Sequence, residues 1–197
     1  MSTISSQPLP NADIELMQKR RAKVTMMWVG IVSIVMLFAG FTSGFILSMG
    51  RKDWVSVTLP PAFITSTIII IISSLTMFAA QYAVKKGNKG GVVGGLLLTL
   101  ALGIGFAISQ YLGFKELFAE GHSFVSKNPA DSWTNMIPFM HLLHVAGGLL
   151  ALFVTFIQAS RGKYTAENYL GLRLTAIYWH FLDILWLYLY VFLYLIR

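Results

Sequence analysis

Two pairs of ionisable residues stand in stretches that otherwise carry almost none. The segment PFMHLLHVAGG holds His141 and His144 three residues apart, and YWHFLDILW holds His180 and Asp183 at the same spacing. On a helix, residues i and i+3 share a face, so each segment presents one polar face. Three kinds of chemistry suit such a set. Imidazoles on two helices can hold a haem between them; the i,i+3 spacing cannot put His141 and His144 on opposite haem faces, so only one of them would pair with His180. Imidazoles and a carboxylate can pass a proton. Alternatively, the four side chains can form a polar network that fixes helix register and does no chemistry. The third reading is favoured, because a relay needs titratable groups reaching water and Asp183 is the only carboxylate within the apolar stretches. The chain has no cysteine, which excludes thiolate zinc sites, iron–sulfur clusters, thiolate haem and cysteine-bridged copper.

The apolar stretches determine how these residues are positioned. No Asp, Glu, Lys or Arg occurs in 24–50, 54–84, 90–114 or 132–160, and 174–196 holds only Asp183. Charged residues make up 12% of the 197, against about 25% in soluble domains, too few to wet a surface of this size. A helix needs roughly 20 apolar residues to cross about 30 Å of hydrocarbon, and every stretch reaches that length. Backbone in lipid must satisfy its own hydrogen bonds, and no run shows the alternating polarity of barrel strands. The fold class is therefore all-α, an integral membrane bundle of five transmembrane helices. Its transmembrane domain covers 24–197, with spans near 25–48, 62–84, 92–114, 135–158 and 174–196.

Residues 1–23 form a polar N-terminal tail. Within it, 1–12 are expected to be disordered and 13–23 to form a short amphipathic helix on the membrane surface. The first apolar stretch is too long for the core of a cleavable signal and is expected to remain as an anchor. The net charge of +7 is a topology signal here, with no implication of nucleic acid. With the N-terminus cytoplasmic, the inner segments hold Lys19, Arg20, Arg21, Lys23, Lys85, Lys86, Lys89, Arg161, Lys163 and Arg173. The outer segments hold Arg51, Lys52, Lys115, Lys127 and Arg197. This asymmetry favours N-terminus in and C-terminus out.

Helical rise puts His144 and Asp183 each roughly 14 Å into their spans, from opposite sides. Spans four and five are therefore expected to be antiparallel neighbours, with a histidine of span four hydrogen-bonded to Asp183 or its near neighbours. Gly40/Gly44, Gly90/Gly94 and Gly91/Gly95 form GxxxG pairs, which let helices approach closely in lipid. The odd helix count and the lack of a hydropathy repeat argue against repeat-built transporters. The aromatic residues at the ends of span five suit an interfacial belt, and His122 reads as a solvated loop residue.

At these residues the chain resembles subunit III of the haem–copper respiratory oxidases, cytochrome c oxidase subunit 3. YWHFLDILWLYLYVFLY is similar to that family's last-helix signature, Trp-His-Phe-hydrophobic-Asp-x-x-Trp. HLLHVAGG is similar to its His-x-x-His-Val element, and the order of elements fits from about residue 19, including AGFTSGF, ITSTIIIIISSLTM and LGIGFAISQ. Five helices match the short form of the family. The chain departs from the family at Ile34, Gly113 and Arg173, where the family usually carries acidic residues; that puts a direct part in proton handling in doubt. The resemblance implies a non-catalytic subunit with no haem or metal of its own. Haem and copper would reside in partner subunits. It implies packing against oxidase subunit I, alongside subunit II and the other respiratory subunits, and phospholipid held in a cleft. Arg161 and Lys163 are candidates for lipid headgroup contacts. The short form and basic tail favour a bacterial inner membrane. An equivalent subunit of a quinol oxidase or nitric oxide reductase, or a stand-alone haem or quinone protein, remains the alternative.

Overall fold

The computed structural model of the chain describes residues 11–124 and 126–196, with the side chains of 11–13 left aside. The described residues form five helices: α1 (Asn11–Ser48), α2 (Ala62–Lys85), α3 (Lys89–Ala119), α4 (Pro129–Ser160) and α5 (Leu170–Leu195). All five are long and apolar enough to cross a membrane. One end of the bundle carries the start of α1, the α2–α3 turn and the α4–α5 loop; it is called the basic end below.

The helices are longer than the apolar stretches that announce them. At about 1.5 Å per residue, the 38 residues of α1 far exceed a hydrocarbon layer of about 30 Å. The segment 13–23, expected as a separate surface helix, is instead the first part of α1. From Asn11 to Val29 there is no Gly or Pro to break it, so the helix continues uninterrupted. Residues 1–10 of the expected disordered tail lie outside the described residues. The wide connector expected at 115–134 narrows because α3 runs on to Ala119 and α4 begins at Pro129. Asn128 starts α4: its side chain accepts from the Ala130 N–H, and Pro129 occupies the first turn, where no backbone N–H is needed.

Helices α2, α3, α4 and α5 close a ring in which each touches the next and α5 returns to α2; α1 touches only α4 and α5. α5 is the centre of the assembly, with half of its span buried against 11% for α1. The tightest pairing is α2 with α3, joined by the three-residue turn 86–88. There Gly91 and Gly95 of α3 lie directly on Ala83 and Ala80 of α2. Gly90 and Gly94 meet no such neighbour, so one of the two overlapping GxxxG pairs makes the contact. The core between these four helices includes Phe63, Ile70, Leu96, Phe106, Leu152 and Trp179. A second cluster seats α1 through Phe38 and Phe45 against Ile137, Leu185 and Leu189.

Candidate functional site

The polar residues of the bundle interior converge on α2. Two rows on that helix, Ser66/Ser73 and Thr67/Ser74/Gln81, recur at seven-residue spacing. Seven residues are two helical turns, so the rows share one side of the helix. Each member meets a partner on α3 or α5. Gln110 Nε2 donates to Ser66 Oγ at 2.8 Å, and Trp186 Nε1 donates to Thr67 Oγ1 at 3.0 Å. Trp179 Nε1 donates to Ser73 Oγ at 3.0 Å. Ser74 Oγ lies 2.8 Å from His180 Nδ1, and Gln81 Nε2 lies 3.1 Å from His180 Nε2. A further hydroxyl pair, Thr76 with Thr99 of α3, is 2.8 Å apart. In lipid, helices have no hydrophobic drive to associate, and such bonds are part of what holds them together.

His180 and Asp183 share a face as expected, but that face meets α2. Both ring nitrogens of His180 are engaged by α2, and its ring stacks on Phe78 at 4.0 Å. Asp183 is 3% exposed, and His180 Nδ1 lies 3.8 Å from its Oδ2. Neither of its oxygens accepts a hydrogen bond of good geometry. Helix α4 is an antiparallel neighbour of α5, joined through Thr155 and Thr175 hydroxyls 2.8 Å apart, and Leu182 and Trp179 of α5 lie against its Gly148. Leu182 stands about 100° round α5 from Asp183. The expected hydrogen bond from a span-four histidine to Asp183 is therefore absent, because the two polar faces look toward different helices.

The two histidines of α4 are held differently from each other. His141 is fully buried among Phe38, Phe106 and Trp186, with ring centroids 6.3, 6.1 and 5.2 Å away, and neither nitrogen has a partner. His144 Nδ1 lies 2.7 Å from the Met140 carbonyl oxygen, and its ring stands edge-on to Phe38 at 5.6 Å. The structure thus brings His180 and Asp183 together and leaves His141 and His144 apart from them. Among the described residues no group of three or more His, Asp or Glu is placed to hold a metal ion.

The end opposite the basic one carries a polar cluster that sequence reasoning missed. His122 Nδ1 lies 2.8 Å from the buried Asp131 Oδ1, so His122, a partly exposed loop residue as expected, is also paired within this cluster. Asn128 clasps Val55, accepting from its N–H at 3.1 Å and donating to its carbonyl at 2.8 Å, and donates to Asp131 at 3.1 Å. Trp133 Nε1 donates to Ser48 Oγ at 2.9 Å and joins α4 to the end of α1. On the surface nearby, Arg51 pairs with Asp53, and the guanidinium's hydrogen bond holds that carboxyl below its ordinary range.

Of the residues where acidic groups are usual in the resembled family, Ile34 packs against the α1 cluster. Gly113 is buried with the Phe63 ring 3.3 Å from where a Cβ would stand, and Arg173 is exposed. Arg161 and Lys163 are both exposed at the basic end. Lys163 also lines a cleft of about 400 Å³ with Lys19, Arg20 and Lys23 of α1; Arg161 does not.

Residues 16–196 match the family described as cytochrome c oxidase subunit III. The chain is 31% identical over 175 residues to a probable cytochrome c oxidase subunit 3 of Rickettsia prowazekii, covering 81% of this chain and 62% of the relative. It is 29% identical over 171 residues to cytochrome c oxidase subunit 3 of Corynebacterium diphtheriae, covering 83% and 82%. It is 33% identical over 135 residues to cytochrome bo(3) ubiquinol oxidase subunit 3 of Pseudomonas aeruginosa, covering 68% and 64%. Against the rickettsial relative, the chain spans under two thirds of the relative's length.

Proposed function

This chain belongs to the cytochrome c oxidase subunit III family, and on that premise we propose that it serves as the non-catalytic subunit III of a haem–copper terminal oxidase in aerobic electron transport. In this role it packs against subunit I and stabilises it. Haem and copper, in that complex, belong to the partner subunits. The observation that carries the reading is how the last-helix motif is used. Trp179, His180 and Trp186 direct their ring nitrogens to Ser73, Ser74, Gln81 and Thr67 of α2. The residues that most resemble the family signature hold helix to helix, which is the work of a scaffold.

Lipid fits the same reading. The basic cleft between the start of α1 and the α4–α5 loop sets Lys19, Arg20, Lys23 and Lys163 around about 400 Å³, suited to an anionic headgroup. The charge distribution supports a cytoplasmic N-terminus in a bacterial plasma membrane. A reporter fused at Asn128 that reads as cytoplasmic overturns that orientation.

The decisive experiment is affinity purification of the tagged full chain from its own membranes. A haem- and copper-containing large subunit should come with it, in near one-to-one amount. Recovery of the chain alone with a Soret band, lost on His144→Ala or His180→Ala, would replace this reading with a stand-alone haem protein. The ubiquinol oxidase named among the relatives makes the electron donor a second readout, settled by whether the purified complex oxidises cytochrome c or a quinol.

A further inference from the structure

His144 stands midway along α4, fifteen residues after Pro129 and sixteen before Ser160, and so near the centre of any membrane the helix crosses. Its Nδ1 lies 2.7 Å from the Met140 carbonyl oxygen. A carbonyl oxygen can only accept, so Nδ1 carries the ring proton. A neutral imidazole has one such proton, and a bare charge at mid-bilayer is costly, which leaves Nε2 with an open lone pair. Nε2 has no partner among the described residues, and it is not among the atoms sealed inside the bundle, as both nitrogens of His141 are.

Four aromatic donors of α5 are spent elsewhere. The Tyr178 hydroxyl reaches the His144 carbonyl at 3.4 Å, the Trp186 indole donates to Thr67, the Trp179 indole to Ser73, and the Tyr188 hydroxyl to Thr42. Lipid offers none at this depth, since acyl chains carry no donor and headgroups lie roughly 15 Å away, half the hydrocarbon thickness. A reachable acceptor left open in hydrocarbon is unfavourable, and one fixed in this tautomer is complementary to a single chemistry. We propose that His144 Nε2 accepts a hydrogen bond from an O–H or N–H side chain on a transmembrane helix of a neighbouring oxidase subunit, and that this is a docking point of the subunit interface. The proposal rests on the subunit reading above.

The test uses the full chain in its native complex. A benzophenone amino acid placed at position 144 should, on illumination, give an adduct with another subunit. Adducts only with lipid, with this chain itself or with a second copy of it overturn the proposal. In parallel, His144→Leu and His144→Gln are compared for the fraction of chain that stays with the haem-bearing subunit under detergent challenge. Interhelical hydrogen bonds in a bilayer average about 0.6 kcal/mol and reach about 1.7, so His144→Leu should weaken retention roughly three- to eighteenfold. His144→Gln, which can still offer an acceptor, should restore most of it. Retention of the Leu variant at the wild-type level, or a Gln variant no better than Leu, overturns the proposal. Equal unfolding midpoints of the isolated wild-type and Leu chains exclude simple misfolding, and if the Leu chain fails to fold, the cross-link decides. If the wild-type chain recovers no haem-bearing partner, the functional reading falls first; if it does and position 144 is indifferent, this inference alone falls.

Discussion

Gly94 and Gly95 are adjacent in sequence and opposite in environment, which makes them a controlled test of the α2–α3 pairing. A Cβ on Gly95 would stand 2.8 Å from Ala80 Cβ, 3.1 Å from its Cα and 3.2 Å from its backbone nitrogen. Two of those atoms are backbone and cannot swing aside, so α2 and α3 must separate. Overpacking of this kind costs about 1–3 kcal/mol, and the loss spreads to the Thr76–Thr99 bond, which lies further along the same interface. A Cβ on Gly94 meets nothing within 4 Å, and alanine is favoured over glycine in a helix by about 0.8–1.0 kcal/mol. Gly95→Ala should therefore be less stable than Gly94→Ala by about 1–3 kcal/mol, with Gly94→Ala neutral or slightly stabilising. The assay is unfolding of the purified chain in mild detergent by titration with a denaturing detergent, followed by tryptophan fluorescence. Equal losses at both positions, or a tolerated Gly95→Leu, would refute the close approach of these helices.

Three further outcomes follow from the same geometry. Trp179→Ala, at a residue 1% exposed and wedged against Gly103 and Gly148, should cost about 3–5 kcal/mol; Trp179→Phe should cost less, losing mainly the bond to Ser73, and the same detergent titration ranks them. In the proposed oxidase complex, Asp183→Asn should leave assembly and oxygen uptake close to wild type, because neither carboxyl oxygen accepts a hydrogen bond of good geometry; a collapse of turnover with assembly intact would restore the proton-relay reading. Tyr164, in the loop after α4, donates to Gln158 Oε1 at 2.8 Å, and burial raises its phenol above the ordinary value near 10. A group raised on folding contributes stability below its unfolded pKa and loses it as pH rises through the folded one, so this part of the fold should weaken only above about pH 10. Ultraviolet phenolate titration of wild type against Tyr164→Phe checks it: the missing component should be the late one.

The charge-free windows locate all five helices because lipid tolerates so few alternatives, yet they misplace the ends. Hydrocarbon thickness limits only the apolar part of a helix, and α3 and α4 continue past it with Lys115, Glu116 and Asp131 still on helical turns. The cue to the true start of α4 is the Asn128–Pro129 pair, a cap followed by a residue suited to the first turn. The role of His122 is hidden for a related reason: its partner Asp131 is nine residues away across a turn, a distance at which sequence shows no periodic signal.

The interior site shows more clearly what spacing can and cannot carry. An i,i+3 pair says that His180 and Asp183 share a face, and this holds; it does not say which neighbour that face meets. That information lies in α2, where 66/73 and 67/74/81 repeat every seven residues as Ser/Ser and Thr/Ser/Gln. Single hydroxyls in a membrane helix are commonplace, because each can donate to a carbonyl of the preceding turn, as Ser66 and Thr67 also do to Phe63. A heptad of them is different: it lines up several groups that can also receive donors from a second helix. Helix α5 supplies two indole N–H groups at Trp179 and Trp186, themselves seven residues apart, with His180 beside the first. Two polar patterns of equal period on antiparallel helices stay in step along their whole contact. That match accounts for α2, and not α4, receiving the polar face of α5, and it makes the interlock a property of the pair of helices rather than of either sequence alone.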